Sequence, residues 1–460
     1  MLNILKRLYF HISGSDTQGL NENSYIYRKI FKLKSPIFLL LFLSFYSIAF
    51  SQRSKVEASI NYLSSDELKG RENGSPELLE AANWIASEFK NIGLQSPSFA
   101  ENYLQEVNLL SVENQYKSLI LNDLAISDDR FFVLGQKENF QITKPNGLEV
   151  FVVGEQDDIM SVFSQINQFD NSFAVIIHPI HIKRFERIKR YFTNSKRELE
   201  NEEANYSLWV MSDEKSIQSI DLSVINKLNR TTIYNVIGEL PAASSSDRKW
   251  MFSSHYDHLG IINSVDGDSI ANGANDDASG VAAVIELARM FSNGEAPEKS
   301  IYFIAFAGEE LGIFGSKYLS SIIELDKIEA MINIEMIGIP NTDLGPQSAY
   351  ITGYDLSYLP KDMANNTQVE KFMFFPDPYS YLNLFNRSDN ASFASLGVPA
   401  HSVSTFSEND NTYHSVNDEV ENMDIDHIME VIEAIYESTL PLLKLDYDPG
   451  VIDYKTKTDR

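Results

Sequence analysis

The sequence predicts an α/β protein carrying an inserted, mostly β or α+β domain, and three observations support that reading. From Thr231 onward, short apolar runs alternate with segments of helical period, as strands and helices taken in turn would. Between about residues 105 and 230 the pattern changes to short alternating or apolar runs set among charged stretches such as Lys183 to Glu203. A chain of 460 residues exceeds one ordinary domain, and 43% hydrophobic with 12% aromatic residues can fill a sizeable core.

Taken in chain order, the first signal is the apolar run Ile37 to Phe50, preceded by Arg28, Lys29, Lys32 and Lys34. It is short for a membrane span, which needs about 20 residues. With Ala49-Phe50-Ser51 ahead of Gln52 it reads as a secretory signal ending at residue 51, with a short anchor as the competing reading. The residues before Tyr27 exceed what such a signal needs, which points to a translation start downstream of Met1. Export to periplasm or medium is therefore expected, with no membrane attachment after cleavage. Pro76 to Ile92 keeps a helical period, and Gly93 ends it. In the middle region the candidate strands are Leu148–Val153, Phe173–Ile177 and Ser207–Met211. Beyond it they are Thr232–Gly238, Trp250–Ser254, Ser300–Ala307, Ala330–Ile334, Ala349–Thr352 and Ala400–Ser404. The helices expected there are Ala278–Phe291, Ile313–Ile323 and Ile425–Leu443.

Composition removes several function classes. A formal charge of −27 argues against a nucleic-acid partner and against anionic lipid, both of which need a basic surface. The absence of cysteine excludes disulfides, thiolate metal sites, iron–sulfur clusters, a cysteine nucleophile and a lipidated-cysteine anchor. Any transition metal must be held by His, Asp and Glu, and there are eight His.

Five polar clusters fall where strands end, the place where open α/β sheets put their ligands. The first is Ser254-His255-Tyr256-Asp257-His258, where strand alternation would let Asp257 orient the His255 imidazole. The second is Gly273 to Gly280, where Asp277 or Ser279 suits an N-cap and Asp276 is left over. The third is Gly308-Glu309-Glu310, a carboxylate pair in which one could bind metal while its neighbour takes a proton from water. The fourth is Glu335 inside Ile332-Asn333-Ile334-Glu335-Met336-Ile337, costly to bury unless paired or metal-bound. The fifth is Tyr413-His414-Ser415. Taken singly, four of the five have an ordinary structural explanation, and only at Glu335 does the functional one prevail. Among other histidines, His401 reads as core or pocket wall, and Pro179 disfavours a helix pairing His178 with His181. His258 and His427 read as structural or solvated, and His11 precedes the signal.

The order and spacing of these clusters resemble the di-zinc aminopeptidase family in its bacterial secreted form. That family also contains glutamate carboxypeptidases, glutaminyl cyclase-like proteins and the non-catalytic transferrin receptor. The matching segments are S-S-H-Y-D-H-L-G, G-A-N-D-D-A-S-G-V-A, F-A-G-E-E-L-G-I-F-G-S, I-N-I-E-M-I-G and Y-H-S-V-N-D-E-V-E-N-M-D. Weaker ones are L-S-S-D-E-L-K-G-R at 63–71, Y-N-V-I-G at 234–238 and R-S-D-N at 387–390. The resemblance implies a three-layer α/β/α fold with a mixed central sheet, in a catalytic domain of residues 52–104 and 232–446. The remainder is then an insert over 105–231, in the position of the family's protease-associated domain but matching it poorly, and a tail over 447–460.

It also implies a di-zinc exopeptidase taking the N-terminal residue of a peptide substrate. Asp276 would bridge both ions, His255 and Glu335 would complete one zinc, and Glu310 and His414 the other. Glu309 would be the general base and Asp257 the partner orienting His255. Two departures stand out: Glu335 occupies a position where many members have Asp, and Asn390 one where related sequences often have His. Two His and three carboxylates suit zinc, and cobalt or manganese fit the same donors. The competing readings are a carboxypeptidase, another amide hydrolase or cyclase on the same scaffold, and a binding homologue without catalysis.

Overall fold

A computed structural model describes residues 52–452, apart from 146, 167–170, 194–196, 202–204, 368 and 370. The expected signal segment, 1–51, lies outside the described residues, as do 453–460 of the expected tail.

The centre is a mixed sheet whose main strands are β1 (Leu104–Leu121), β2 (Ile220–Leu240), β3 (Lys249–His255), β4 (Ser300–Phe306), β5 (Ile328–Glu335), β6 (Ser348–Ile351), β7 (Met373–Pro376) and β8 (Ala400–Ser404). In space they run β7-β6-β8-β5-β3-β4-β2-β1. The four in the middle, β8, β5, β3 and β4, are parallel. Strands β2 and β1 add on antiparallel at one side, and β6 meets β8 antiparallel at the other. Strands β3, β4 and β5 are almost wholly buried. That is why they read as continuous apolar runs: a parallel sheet is covered on both faces.

Helices supply the cover. On one face pack α1 (Pro76–Ile92), α2 (Ser279–Asn293) and α5 (Ile425–Thr439), through Ile85, Phe89, Val284, Leu287, Ile428 and Ile432. On the other, Leu319 of α3 (Phe314–Ile322) and Phe393 of α4 (Asn390–Ala394) meet Met251, Ile304 and Met331. The result is the expected three-layer arrangement. Helix α1 shows its local causes plainly: Ser75 caps the Leu78 amide at 3.1 Å, Pro76 opens the first turn, and Gly93 at φ 95° closes the helix.

The middle region forms a second sheet, Phe131–Gly135, Tyr206–Met211, Phe173–Ile177 and Glu149–Val153, in that order. Its own core gathers Phe132, Phe185 and Trp209. Strands β1 and β2 run as one antiparallel ladder from Leu104↔Val236 to Leu121↔Ile220 and join the two sheets. The boundaries expected after residues 104 and 231 therefore fall at the first residue of β1 and inside β2. Among the described residues no helix is long and apolar enough to cross a membrane.

Candidate metal centre

The carboxyl ends of β3, β4 and β5 converge on one cleft. His255 is the last residue of β3, Glu335 the last of β5, and Glu309 and Glu310 follow the end of β4. Asp276 lies in the loop that leads into α2. His414 arrives from the loop before α5.

Two donor clusters share Asp276. His255 Nε2 lies 3.1 Å from Asp276 Oδ1 and 3.3 Å from Glu335 Oε1. His414 Nε2 lies 3.3 Å from both Asp276 Oδ2 and Glu310 Oε2. The two oxygens of Asp276 thus face different imidazoles. His258, expected to be structural or solvated, is not solvated: it is buried at this centre, with Nδ1 2.9 Å from Glu310 Oε1 and 3.9 Å from Asp276 Oδ2. Within each of the sets His255, Asp276, Glu335 and His258, Asp276, Glu310, one ligand atom per residue lies within 4.8 Å of the others.

The side chains that hold this constellation mostly bond to main chain. Asp277 accepts the amides of Gly280 (3.1 Å) and Met336 (3.0 Å), tying the start of α2 to the end of β5. Asp418 accepts the amides of Asn275 (2.7 Å) and Asp276 (2.9 Å). Ser388 donates to Glu335 Oε2 at 2.7 Å. Fully buried Arg71 donates to the carbonyls of Tyr256 (2.7 Å), Asn272 (2.6 Å) and Gly273 (3.0 Å), and to that of Leu63. None of Arg71, Ser388 and Asp418 carries a local sequence signal of this role. The segments containing them, L-S-S-D-E-L-K-G-R, R-S-D-N and Y-H-S-V-N-D-E, were the available pointer.

Asp257 does its work differently from the strand-alternation argument. β3 ends at His255, so Asp257 lies past the pleat, and it is the Asp257 carbonyl that bonds His255 Nδ1, at 3.0 Å. Its carboxylate stands 3.8 Å from that nitrogen. It accepts Asn73 Nδ2 (2.6 Å) and the amides of Glu309 and Glu310 (3.2 Å each). A proton held on Nδ1 by the carbonyl leaves Nε2 free as a donor atom. Asn390 is buried behind the cleft wall, donating to the Phe385 carbonyl and accepting from Ser402. His401 is buried between Ser357 and the Thr352 carbonyl. His178 and His181 face separate partners, Asp213 and the Gly154 carbonyl.

The electrostatics call for cations. Asp276, Glu309, Glu310 and Glu335 crowd one site; burial opposes charge at Asp276 and Glu310, yet hydrogen bonds from His255, His258 and His414 hold both below the usual carboxylate range. Burial, joined by the carboxylates of Glu335 and Asp389, pushes Glu309 well above the usual carboxylate range against the pull of His255. At His414 burial is overcome by Asp276 and Glu310, which lift the imidazole to about 9. Divalent ions held among these groups would balance the same charge. The donors are nitrogen and oxygen only, a set that fits zinc.

The profile of Peptidase family M28 matches residues 235–439, a segment holding all five expected ligands. This segment belongs to peptidase family M28. A probable zinc metalloprotease of Pyrenophora teres f. teres is 33% identical to the chain over 137 residues, 29% of this chain and 28% of that protein. One from Pyrenophora tritici-repentis is 39% identical over 117 residues, 25% of this chain and 26% of that protein. The chain thus spans about a quarter of the length of the curated relatives it matches. A zinc aminopeptidase from Bacillus subtilis superposes with a TM-score of 0.51 at 17% identity, covering 87% of this chain and 98% of that one. At that identity the likeness is one of fold alone.

Proposed function

We propose that the chain is an exported di-zinc aminopeptidase. The observation that carries this reading is the shared Asp276, whose two oxygens face two separate His–carboxylate pairs. In this reading Asp276 would be shared by both zinc ions, with His255 and Glu335 holding one and Glu310 and His414 the other. When bound, two zinc ions would polarise the scissile carbonyl and acidify the attacking water. Glu309, which lines the cleft together with Glu335, would take the proton of that water. As the water oxygen bonds the carbonyl carbon and the C–N bond breaks, Glu309 returns the proton to the leaving amine. Asp257 is a positioning residue, fixing His255 through its carbonyl and the Glu309–Glu310 turn through its carboxylate. Export is inferred from the basic stretch and apolar run at 28–50, and N-terminal sequencing of the secreted protein tests it.

Metal analysis should find about two zinc per chain, and a panel of aminoacyl reporter substrates should reveal turnover. Glu309→Gln should keep the metal and lose hydrolysis by about 10²–10⁴-fold. Near-normal activity in that variant sinks Glu309 as the base. A zinc-loaded protein that turns over no member of the panel sinks the aminopeptidase reading.

A further inference from the structure

The cleft beside the shared aspartate has an open volume of about 590 Å³, and its lining includes the carboxylates Asp276, Glu309 and Glu335. Arg387 is the one guanidinium among its lining residues, which also include the imidazole of His414. Arg387 is exposed and donates through Nη2 to Tyr413 Oη at 3.3 Å. The described residues give it no ion-pair partner, although the chain carries 65 acidic residues against 38 basic ones. Tyr413 in turn stacks on the His414 imidazole, ring centroids 3.8 Å apart at 22°. The guanidinium therefore stands about one aromatic ring away from a donor of the metal centre. One or two residues of extended peptide span that gap, at roughly 3.5 Å per residue.

A guanidinium has five N–H donors in a fork that matches a carboxylate, and one is spent on Tyr413. With two divalent ions loaded, the four clustered carboxylates are balanced and the Arg387 charge remains. We propose that Arg387 selects peptides presenting a carboxylate at the rim of the cleft, either the C-terminal carboxylate of a very short peptide or an acidic side chain. This rests on the peptidase reading above and adds to it the class of substrate. Leu384 and Phe406 add apolar wall to the same cleft.

The test compares kcat/KM for matched substrates with zinc-loaded wild type, Arg387→Gln and Arg387→Lys. One pair is a neutral dipeptide and its C-terminal amide; the other sets Glu against Gln within dipeptide amides. Wild type should favour the charged member of one pair by about tenfold, as one charge-assisted contact supplies. Added salt should shrink that ratio, Arg387→Gln should bring it close to one, and Arg387→Lys should keep part of it. A response in the first pair assigns the C-terminal carboxylate, and one in the second assigns the side chain. Equal rates within both pairs, or a preference that survives Arg387→Gln, overturns the proposal. If wild type cleaves no peptide at all, the peptidase reading fails by itself. Calorimetric titration of the same pairs onto zinc-loaded Glu309→Gln, with and without Arg387→Gln, then decides: a charged-ligand preference that needs Arg387 supports the assignment, and equal affinities overturn it.

Discussion

Replacing Arg71 with Met should disable the centre from behind without touching a ligand. The guanidinium is fully buried and binds four main-chain carbonyls, of which Tyr256, Asn272 and Gly273 belong to the loops that carry His255 and Asp276. Burial brings its pKa down to about 10, opposed first by Asp418. Relative to an ordinary arginine that represents a cost of about 3 kcal/mol. Four charge-assisted bonds at about 1.5–3 kcal/mol each outweigh it. Since such bonds are not additive, the expected loss in Arg71→Met is about 3–5 kcal/mol. Arg71→Lys keeps the charge but not the fork, and should recover less than half of the loss. Urea unfolding of metal-free protein reads the stability, and competition with a chromophoric chelator reads zinc affinity, which should fall as well. Stability within about 1 kcal/mol of wild type together with unchanged zinc affinity would show that the loops hold their shape without Arg71.

Two further outcomes follow from buried ionisable groups away from the centre. His401 has its pKa lowered to about 4, chiefly by burial, so below its unfolded value near 6.5 the unfolded chain binds a proton that the folded one refuses. Stability should therefore fall as pH drops from 6.5 to about 4, by up to about 3 kcal/mol, and His401→Gln should flatten that part of a pH–denaturation profile. Glu329 accepts the Trp250 indole N–H at 2.7 Å and pairs with fully buried Lys299. Glu329→Gln leaves that lysine without its counter-charge and should cost about 3–5 kcal/mol in thermal or urea unfolding.

The extent to which the molecule can be read from its sequence follows the range of each interaction. Strands β3, β4 and β5 end within a residue or two of their expected limits, because a strand buried on both faces announces itself as an unbroken apolar run. The clusters at His255, Glu309-Glu310 and Glu335 were visible for the same reason, since each lies where such a run stops, whereas Asp276 and His414 come from loops that lead into helices. Helix α5 ends at Thr439, not Leu443, because Pro441 interrupts it and the chain continues as a short 3-10 turn. The β1–β2 ladder was not visible as such. Its middle, around Glu113 to Tyr116, is exposed and so lacks the one-sided alternation that marks a strand. Arg71 was beyond reach for a different reason. Its partners lie up to 202 positions away, and no local period records a contact of that range. His258, expected to be structural or solvated, is buried and meets Glu310, which a different strand end supplies and no local pattern announces.

The division of labour at the centre has a structural consequence. Arg71, Asp277 and Asp418 direct their charge at backbone amides and carbonyls, and the ligand side chains project from loops fixed in that way. Asp276 is the clearest case, since Asp418 holds its amide while its carboxylate oxygens face His255 and His414. Main chain fixed independently of the ligand side chains can remain in place when the metal leaves, because no anchor is itself a ligand in the proposed set. Removal of metal and removal of an anchor should then differ in kind. The first changes the charge balance and leaves the loops; the second moves the loops and so weakens metal binding at both sites together, through the one residue they share. A centre built from side-chain contacts alone would lose its two ions independently. In the proposed di-zinc reading, loss of the Asp276 position would tie the occupancy of one site to that of the other.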